Sequence, residues 1–214
     1  MRRLFQLSGI LFVVILVAAI VGVGDGTPGA GASGEQLAAF YSGNDVRQVV
    51  GTFLLAAAAP FVLLFGIGLM TTVGRGTQDT LSLWSWILLA GTILVASSIL
   101  VTAFVHFALA NGGDEEISPT ALEALNSLDA NTWMMFNPAF GVMMLGAAGV
   151  LLASGGYRLL GWIALVLGIG AFVPFADFFA LLGALGWIVV TSIVLARGRT
   201  ADAAVVTPGA ALEV

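Results

Sequence analysis

With 214 residues, 59% of them hydrophobic and only 9% charged, the chain has too little polar side chain to cover a water-soluble globule, and its mean hydropathy of +1.07 places it in a bilayer. Twelve acids against seven arginines give a net charge of −5, and no basic stretch could follow a phosphate backbone, so nucleic-acid binding is excluded. The absence of cysteine and lysine removes disulfides, thiolate metal sites, cysteine nucleophiles and Schiff-base chemistry.

At about 20 residues per span plus loops, this length suits an all-α integral membrane fold. The expectation is a six-transmembrane-helix bundle forming one domain over residues 1–199, with two short outer amphipathic helices. Arg2 and Arg3 precede an apolar run, Leu4 to Val23, broken only by Gln6 and Ser8, which predicts a first span with its basic end in the cytoplasm. A cleaved signal peptide is the rival reading. Gly22-Val23-Gly24 is a poor small-x-small cleavage site and the apolar core exceeds a usual h-region, so a retained helix is expected.

Residues Gly24 to Val46 are Gly-rich and then acidic, and hold one helical pattern. Ser33 stands as N-cap with Gln36 three residues later, and Leu37, Phe40 and Tyr41 share a face before Gly43. Val49 to Thr72 is the second span, with Pro60 expected to bend it. Leu81 to Ala110 is the third, free of acids and bases, and carries the only histidine. Ser98, Thr102 and His106 recur every four residues and so share one side of that helix. Such a run is about 45 Å long against a hydrocarbon core of about 30 Å, so it must tilt or protrude. Trp84 and Trp86 suit the inner interfacial belt, which puts His106 near the outer interface, within reach of water.

The second outer loop, Asn111 to Asn131, is acidic at Asp114, Glu115 and Glu116. It repeats the helical pattern of the first: Ser118 as N-cap, Pro119 at N1, and Leu122, Leu125 and Leu128 on one side. A short amphipathic helix before spans two and four suggests a duplicated outer lid. Thr132 to Ser154 is the fourth span, with Asn137-Pro138 near its outer end, and Gly155-Gly156 and Arg158 form a tight inner turn. Spans five and six, Leu159 to Val173 and Ala176 to Ala196, make a hairpin broken at Pro174 with Asp177 at its turn. Residues 200–214 form a cytoplasmic tail whose end, Leu212-Glu213-Val214, matches the opening of a common engineered protease site and reads in part as an expression remnant.

Association inside a bilayer relies on small residues that let backbones approach. Ala139, Gly146, Gly149 and Ala153 of the fourth span and Gly161, Ala164, Gly168 and Ala171 of the fifth supply them, so these two spans are expected to pack against each other. With six spans and both termini cytoplasmic, Arg2, Arg3, Arg75, Arg158, Arg197 and Arg199 lie inside and only Arg47 outside. The outer face then collects Asp25, Glu35, Asp45, Asp114, Glu115, Glu116, Glu123, Asp129 and Asp177.

Candidate ligand-binding residues are His106, Thr102, Ser98, Asn137 and Asp177, because ionisable and polar groups at membrane depth are costly and usually serve a purpose. Each has a plainer reading. His106 serves as an interfacial structural histidine, Ser98 and Thr102 bond their own i−4 carbonyls, and Asn137 marks a proline kink. Asp177 could pair with His106, but opening a helix after Pro174 favours it as a cap. Met134-Met135 and Met143-Met144 read as lipid-facing filler, since one histidine and no cysteine leave a metal without ligands. No catalytic residue, metal or cofactor is expected, and the only histidine has no nucleophile motif beside it.

The final hairpin, GYRLLGWIALVLGIGAFVPFADFFALLGALGWIVVTSIVLARGR, following a loop of the type ISPTALEALNSLDANTW, resembles uncharacterised multi-pass membrane proteins of actinobacteria grouped by a domain of unknown function. The likeness covers most of Ser33 to Arg199, with an aromatic-Arg-x-x-Gly-Trp start and a Trp-x-x-x-x-Ser end. It implies a six-helix plasma-membrane protein and brings no activity. The expected function is non-enzymatic: an outer half that binds a lipid-like or apolar ligand, or a partner membrane protein. A small-solute transporter or channel, and a pH or cation sensor acting through His106, are the alternatives.

Overall fold

Among the described residues of the computed structural model, the chain is helical and contains no strand. These residues are 2–24, 27–73, 78–112 and 117–205; Asp25, Arg75, Asp114, Glu115, Glu116 and the end of the tail lie outside them, as do the side chains of Arg2, Arg3, Asp45, Asp79 and Arg199. In order they form α1 (Arg2–Gly24), α2 (Gly34–Val73), α3 (Gln78–Gly112), α4 (Pro119–Ala130), α5 (Trp133–Ser154), α6 (Arg158–Gly170) and α7 (Asp177–Val205). Four stretches are long and apolar enough to cross a membrane: Val46–Val73, Leu83–Gly112, Pro119–Ser154 (α4 and α5 together) and Asp177–Arg197. Leu7–Gly22 and Arg158–Gly170 are apolar but shorter. Val14, Phe53, Phe104, Leu159 and Val166 are all exposed on the outside of these helices. So much exposed hydrocarbon suits contact with a lipid bilayer.

The long helices close a ring in chain order. α1 packs on α2, α2 on α3, α3 on α5, α5 on α6, α6 on α7 and α7 back on α1, while α4 contacts α2 and α3. One apolar cluster fills the interior, drawing Phe12 and Leu16 from α1, Phe65 from α2, Ile99 from α3, Phe140 and Met143 from α5 and Trp187 from α7. Phe12 and Phe140 meet with ring centroids 6.4 Å apart, and Phe65 lies edge-on to Trp187 at 6.2 Å. Trp187 also donates from its indole nitrogen to the Leu160 carbonyl at 2.9 Å, tying α7 to α6. Met143 and Met144 belong to this core, which corrects their expected role as lipid-facing filler. That role suits only Met134 and Met135, which are exposed. The physical reason is that α5 has neighbours on both sides, α3 and α6, leaving little of its length for lipid.

The same placement redirects the small residues. A Cβ at Gly146 would run into the Leu88 backbone, and one at Gly91 into the Met143 backbone, so α3 and α5 cross with main chains in direct contact at two reciprocal points. Gly146 of the fourth span therefore serves α3 rather than the fifth span. The contact expected between spans four and five exists on the other side of α5, where Gly161 and Gly168 of α6 sit under Leu152 and Leu145.

Local signals explain several helix ends. Ser33 and Gln36 form a reciprocal capping box: the Ser33 amide donates to Gln36 Oε1 at 3.1 Å and the Gln36 amide to Ser33 Oγ at 3.4 Å. Ser118 caps α4 by accepting from the Ala121 amide at 3.3 Å, with Pro119 at the first helical position. Gly155, at φ 73°, takes the left-handed conformation that ends α5. The first amphipathic helix and the second span, expected as separate elements, join in α2, which is broken only at Asn44 (φ −132°, ψ 15°). The Asn44 side-chain amide donates to the Phe40 carbonyl at 2.9 Å and closes the first segment there. Pro60 leaves α2 continuous. α6 stops at Gly170, short of Val173, and α7 continues to Val205, past the expected start of the tail.

Candidate functional site

The amphipathic segment of α2 and the whole of α4 come together over the end of α3. Leu37, Tyr41, Leu109, Ala110 and Leu122 form a second apolar cluster there, separate from the main core. Polar contacts fix its edges: the Gly34 amide donates to Glu123 Oε1 at 2.7 Å, and the Asn126 side-chain amide donates to the Gly29 carbonyl at 3.0 Å. Leu122 is buried and Leu125 packs against the cluster, but Leu128, expected on the same face, is exposed. Asn126 takes part in the buried face instead.

Beneath this lid lies His106, 4% exposed. The ring does not face interfacial water as expected: Tyr41 packs edge-on against it and Asp129 of α4 meets Nδ1, so that what remains open to it is the adjoining cavity. Nδ1 lies 3.2 Å from Asp129 Oδ2 on α4, and Nε2 lies 2.8 Å from Gln48 Oε1 on α2. One imidazole thus links three helices. Both facing atoms are acceptors, so the ring satisfies both at once only with a proton on each nitrogen. The neutral ring keeps one bond and needs the Gln48 amide to turn to restore the other.

Tyr41 presents its ring edge-on to His106 with centroids 6.0 Å apart. Its hydroxyl is buried without a hydrogen-bond partner. Burial, and secondarily the nearby Asp129 carboxylate, push the Tyr41 phenol far above its ordinary range. Above about pH 10 the unfolded chain releases this proton while the folded chain keeps it, so stability falls as pH rises through that range. In a Tyr157→Phe background, tyrosinate absorbance should therefore appear only together with alkaline unfolding. Tyr41→Phe, which removes an unsatisfied buried hydroxyl, should match or exceed wild-type stability by about 1 kcal/mol and delay that unfolding.

A cavity of about 270 Å³ opens beside the histidine, lined by Ala19, Ile20, Thr27, Leu55, Thr102, His106, Asp129 and Thr132. Its apolar walls come from α1 and α2, and its polar groups from α3, the α4–α5 junction and Thr27 of the loop after α1. Thr102 has a buried hydroxyl with no hydrogen-bond partner. Thr132 donates to the Asp129 carbonyl at 2.8 Å, which holds the junction closed.

The five residues singled out in the sequence divide among three places. His106 and Thr102 line this cavity together. Ser98, one turn further along α3, donates to its own helix at the Leu94 carbonyl, 2.9 Å away, and lies 3.3 Å from the Met135 carbonyl of α5. It acts in helix packing. Asn137 and Asp177 pair with each other instead of with His106: the Asn137 amide donates to Asp177 Oδ2 at 2.8 Å. Asp177 Oδ1 accepts from the Phe178 amide at 2.9 Å, in keeping with its position at the start of α7.

Sequence reasoning counted Asp129 only among the outer acids and left Gln48 outside the second span. The available signal was register: Gln48 lies four residues before Thr52, on one stripe of α2 past the Asn44 break, and Thr52 donates to the Gln48 carbonyl at 2.9 Å. No protein-family profile, curated protein or solved structure matches this chain.

Proposed function

We propose that this is a non-enzymatic plasma-membrane protein of six crossings that binds a lipid-like or apolar amphiphile in the cavity beside His106. The supporting observation is the pairing, in one cavity, of hydrocarbon walls with a buried His106, held between Asp129 and Gln48, and a Thr102 hydroxyl that lacks a protein partner. An amphiphile fits such a space tail against Ala19, Ile20 and Leu55 and head toward Thr102. A channel or transporter needs a continuous polar path beneath Thr102; Val95, Ile99, Phe140 and Met143 interrupt it, and the hydroxyls of Ser98 and Thr92 on the same helix are spent on its own carbonyls, which favours the binding reading, while Ser8, Thr191 and Ser192 are further buried hydroxyls of the interior. The sensor reading gains from the His106 link across α2, α3 and α4, since gaining or losing a ring proton changes which of its bonds can form.

The six crossings add α1 and α6 to the four longer stretches. α1 has 23 residues, about 35 Å at 1.5 Å per residue, enough for a crossing. α6 has only 13, about 20 Å, and needs the Ala171–Ala176 turns or local thinning to complete its passage. The excess of arginine on one side of this arrangement supports a reading with both termini in the cytoplasm and the lid outside. The chain would then belong with the actinobacterial multi-pass proteins that its final hairpin resembles.

The test uses purified protein and a dansyl-labelled long-chain alcohol. Thr102→Val and His106→Leu should each weaken binding about tenfold, equivalent to about 1.4 kcal/mol, and Ile20→Trp, which puts a bulky ring in the cavity wall, should abolish it. Unchanged affinity in all three variants would refute the reading. In the cysteine-free chain, a cysteine at Ser127 should label from outside intact cells and one at Gly156 only after permeabilisation; the reverse pattern would overturn the topology.

A further inference from the structure

Asp177 lies in the wall of a second cavity, distinct from the one beside His106. The chain passes between the two at a single peptide bond, since Thr132 lines the first and Trp133 the second. This second space is about 700 Å³, with Trp133, Phe175, Phe178 and Phe179 around the Asn137–Asp177 pair. Three observations on it point the same way. The Asp177 carboxylate is half-buried, and among the described residues it has no cationic partner; its bonds are to the Asn137 amide and the Phe178 backbone. Asn137 is 6% exposed and its Oδ1 has no hydrogen-bond partner, so a buried acceptor stands unused beside the carboxylate. Phe175 is held at φ 69°, in the left-handed region that a phenylalanine rarely adopts. That backbone leaves its side chain 92% exposed beside Phe178 and Phe179, which meet edge-to-face at 5.7 Å.

An uncompensated carboxylate, an unused amide acceptor and aromatic rings together select a cation that can donate hydrogen bonds and has apolar surface. A neutral lipid tail would leave the charge and the acceptor unsatisfied, and an anion would be repelled. We propose that this cavity binds a lipophilic primary ammonium, its nitrogen on Asp177 and Asn137 and its chain against Trp133 and the phenylalanines. The ammonium could be carried by a free long-chain amine or by an aminophospholipid headgroup, since both present the same donor.

The test is photo-labelling of the full chain in phosphatidylcholine nanodiscs with a diazirine-bearing long-chain primary amine. The matching alcohol serves as control, and labelled residues are mapped by peptide mass spectrometry. The amine should label residues 172–181 at least tenfold more than the alcohol does. The near-isosteric Asp177→Asn should remove that preference, while Ile20→Trp, which puts a bulky ring in the wall of the His106 cavity, should leave it intact; loss of the Ile20→Trp-sensitive binding alone would fault the first site and not this one. Competition by dodecylamine but not by phosphatidylethanolamine supports a free amine as occupant, and competition by phosphatidylethanolamine supports the lipid headgroup. Equal labelling by amine and alcohol, or an amine preference that survives in Asp177→Asn, overturns the proposal.

Discussion

Gly146→Leu should keep the protein from accumulating in a folded state, and Gly91→Leu should do the same. At both positions a side chain would have to occupy space held by the main chain of the facing helix, at Leu88 and Met143 respectively. Forcing extra carbons into a well-packed interior costs about 1–3 kcal/mol when side chains can shift. Here the backbones of α3 and α5 must separate along the most extensive helix contact of the ring, so the cost should reach or exceed the top of that range. The measurement is the melting midpoint in mild detergent, read by size-exclusion recovery after heating. Gly43→Ala is the control: no atom lies near its would-be Cβ, and alanine is the better helix former by about 1 kcal/mol. It should melt at or above the wild-type midpoint. A Gly146→Leu protein that melts with wild type would show that α3 and α5 do not cross at this point.

Asp129→Ala should loosen the lid without unfolding the ring. It deprives His106 Nδ1 of its acceptor and leaves a buried polar nitrogen unsatisfied, a change worth about 2 kcal/mol. That corresponds to roughly thirtyfold more frequent local opening. Backbone amides of α4, residues 119–130, should exchange hydrogen faster by about that factor, whereas those in the middle of α5 should keep their wild-type protection. Asp129→Asn, which retains an oxygen acceptor of the same shape, should give a smaller increase. Uniform exchange across wild type and Asp129→Ala would mean that the Leu37–Tyr41–Leu122 cluster alone holds the lid.

What was legible in the sequence follows from the range of each interaction. Capping signals act over three residues, so Ser33–Gln36 and Ser118–Pro119 placed two helices almost to the residue. Of the six apolar runs expected as spans, four contain stretches long and apolar enough to cross a membrane, and the four-residue spacing put Thr102 and His106 on one cavity wall. Partner identity depends on how helices pack, which periodicity does not encode. Asp129 and Asp177 are both acids near the same end of the bundle, and only the seating of α4 over α3 gives the first of them to His106. The same holds for Gly146, whose small size announced a close contact but not which neighbour would make it. Met143 and Met144 misled because a long apolar span looks alike whether its sides meet lipid or other helices.

The space between α1, α2 and the His106–Asp129 pair is the proposed ligand site. Native mass spectrometry of wild type and Ile20→Trp, each released from mild detergent, tests it most directly. Wild type should carry one bound small amphiphile per chain that Ile20→Trp lacks, with both proteins melting at similar temperatures. A bare wild-type chain, or the same adduct on both proteins, would contradict the claim.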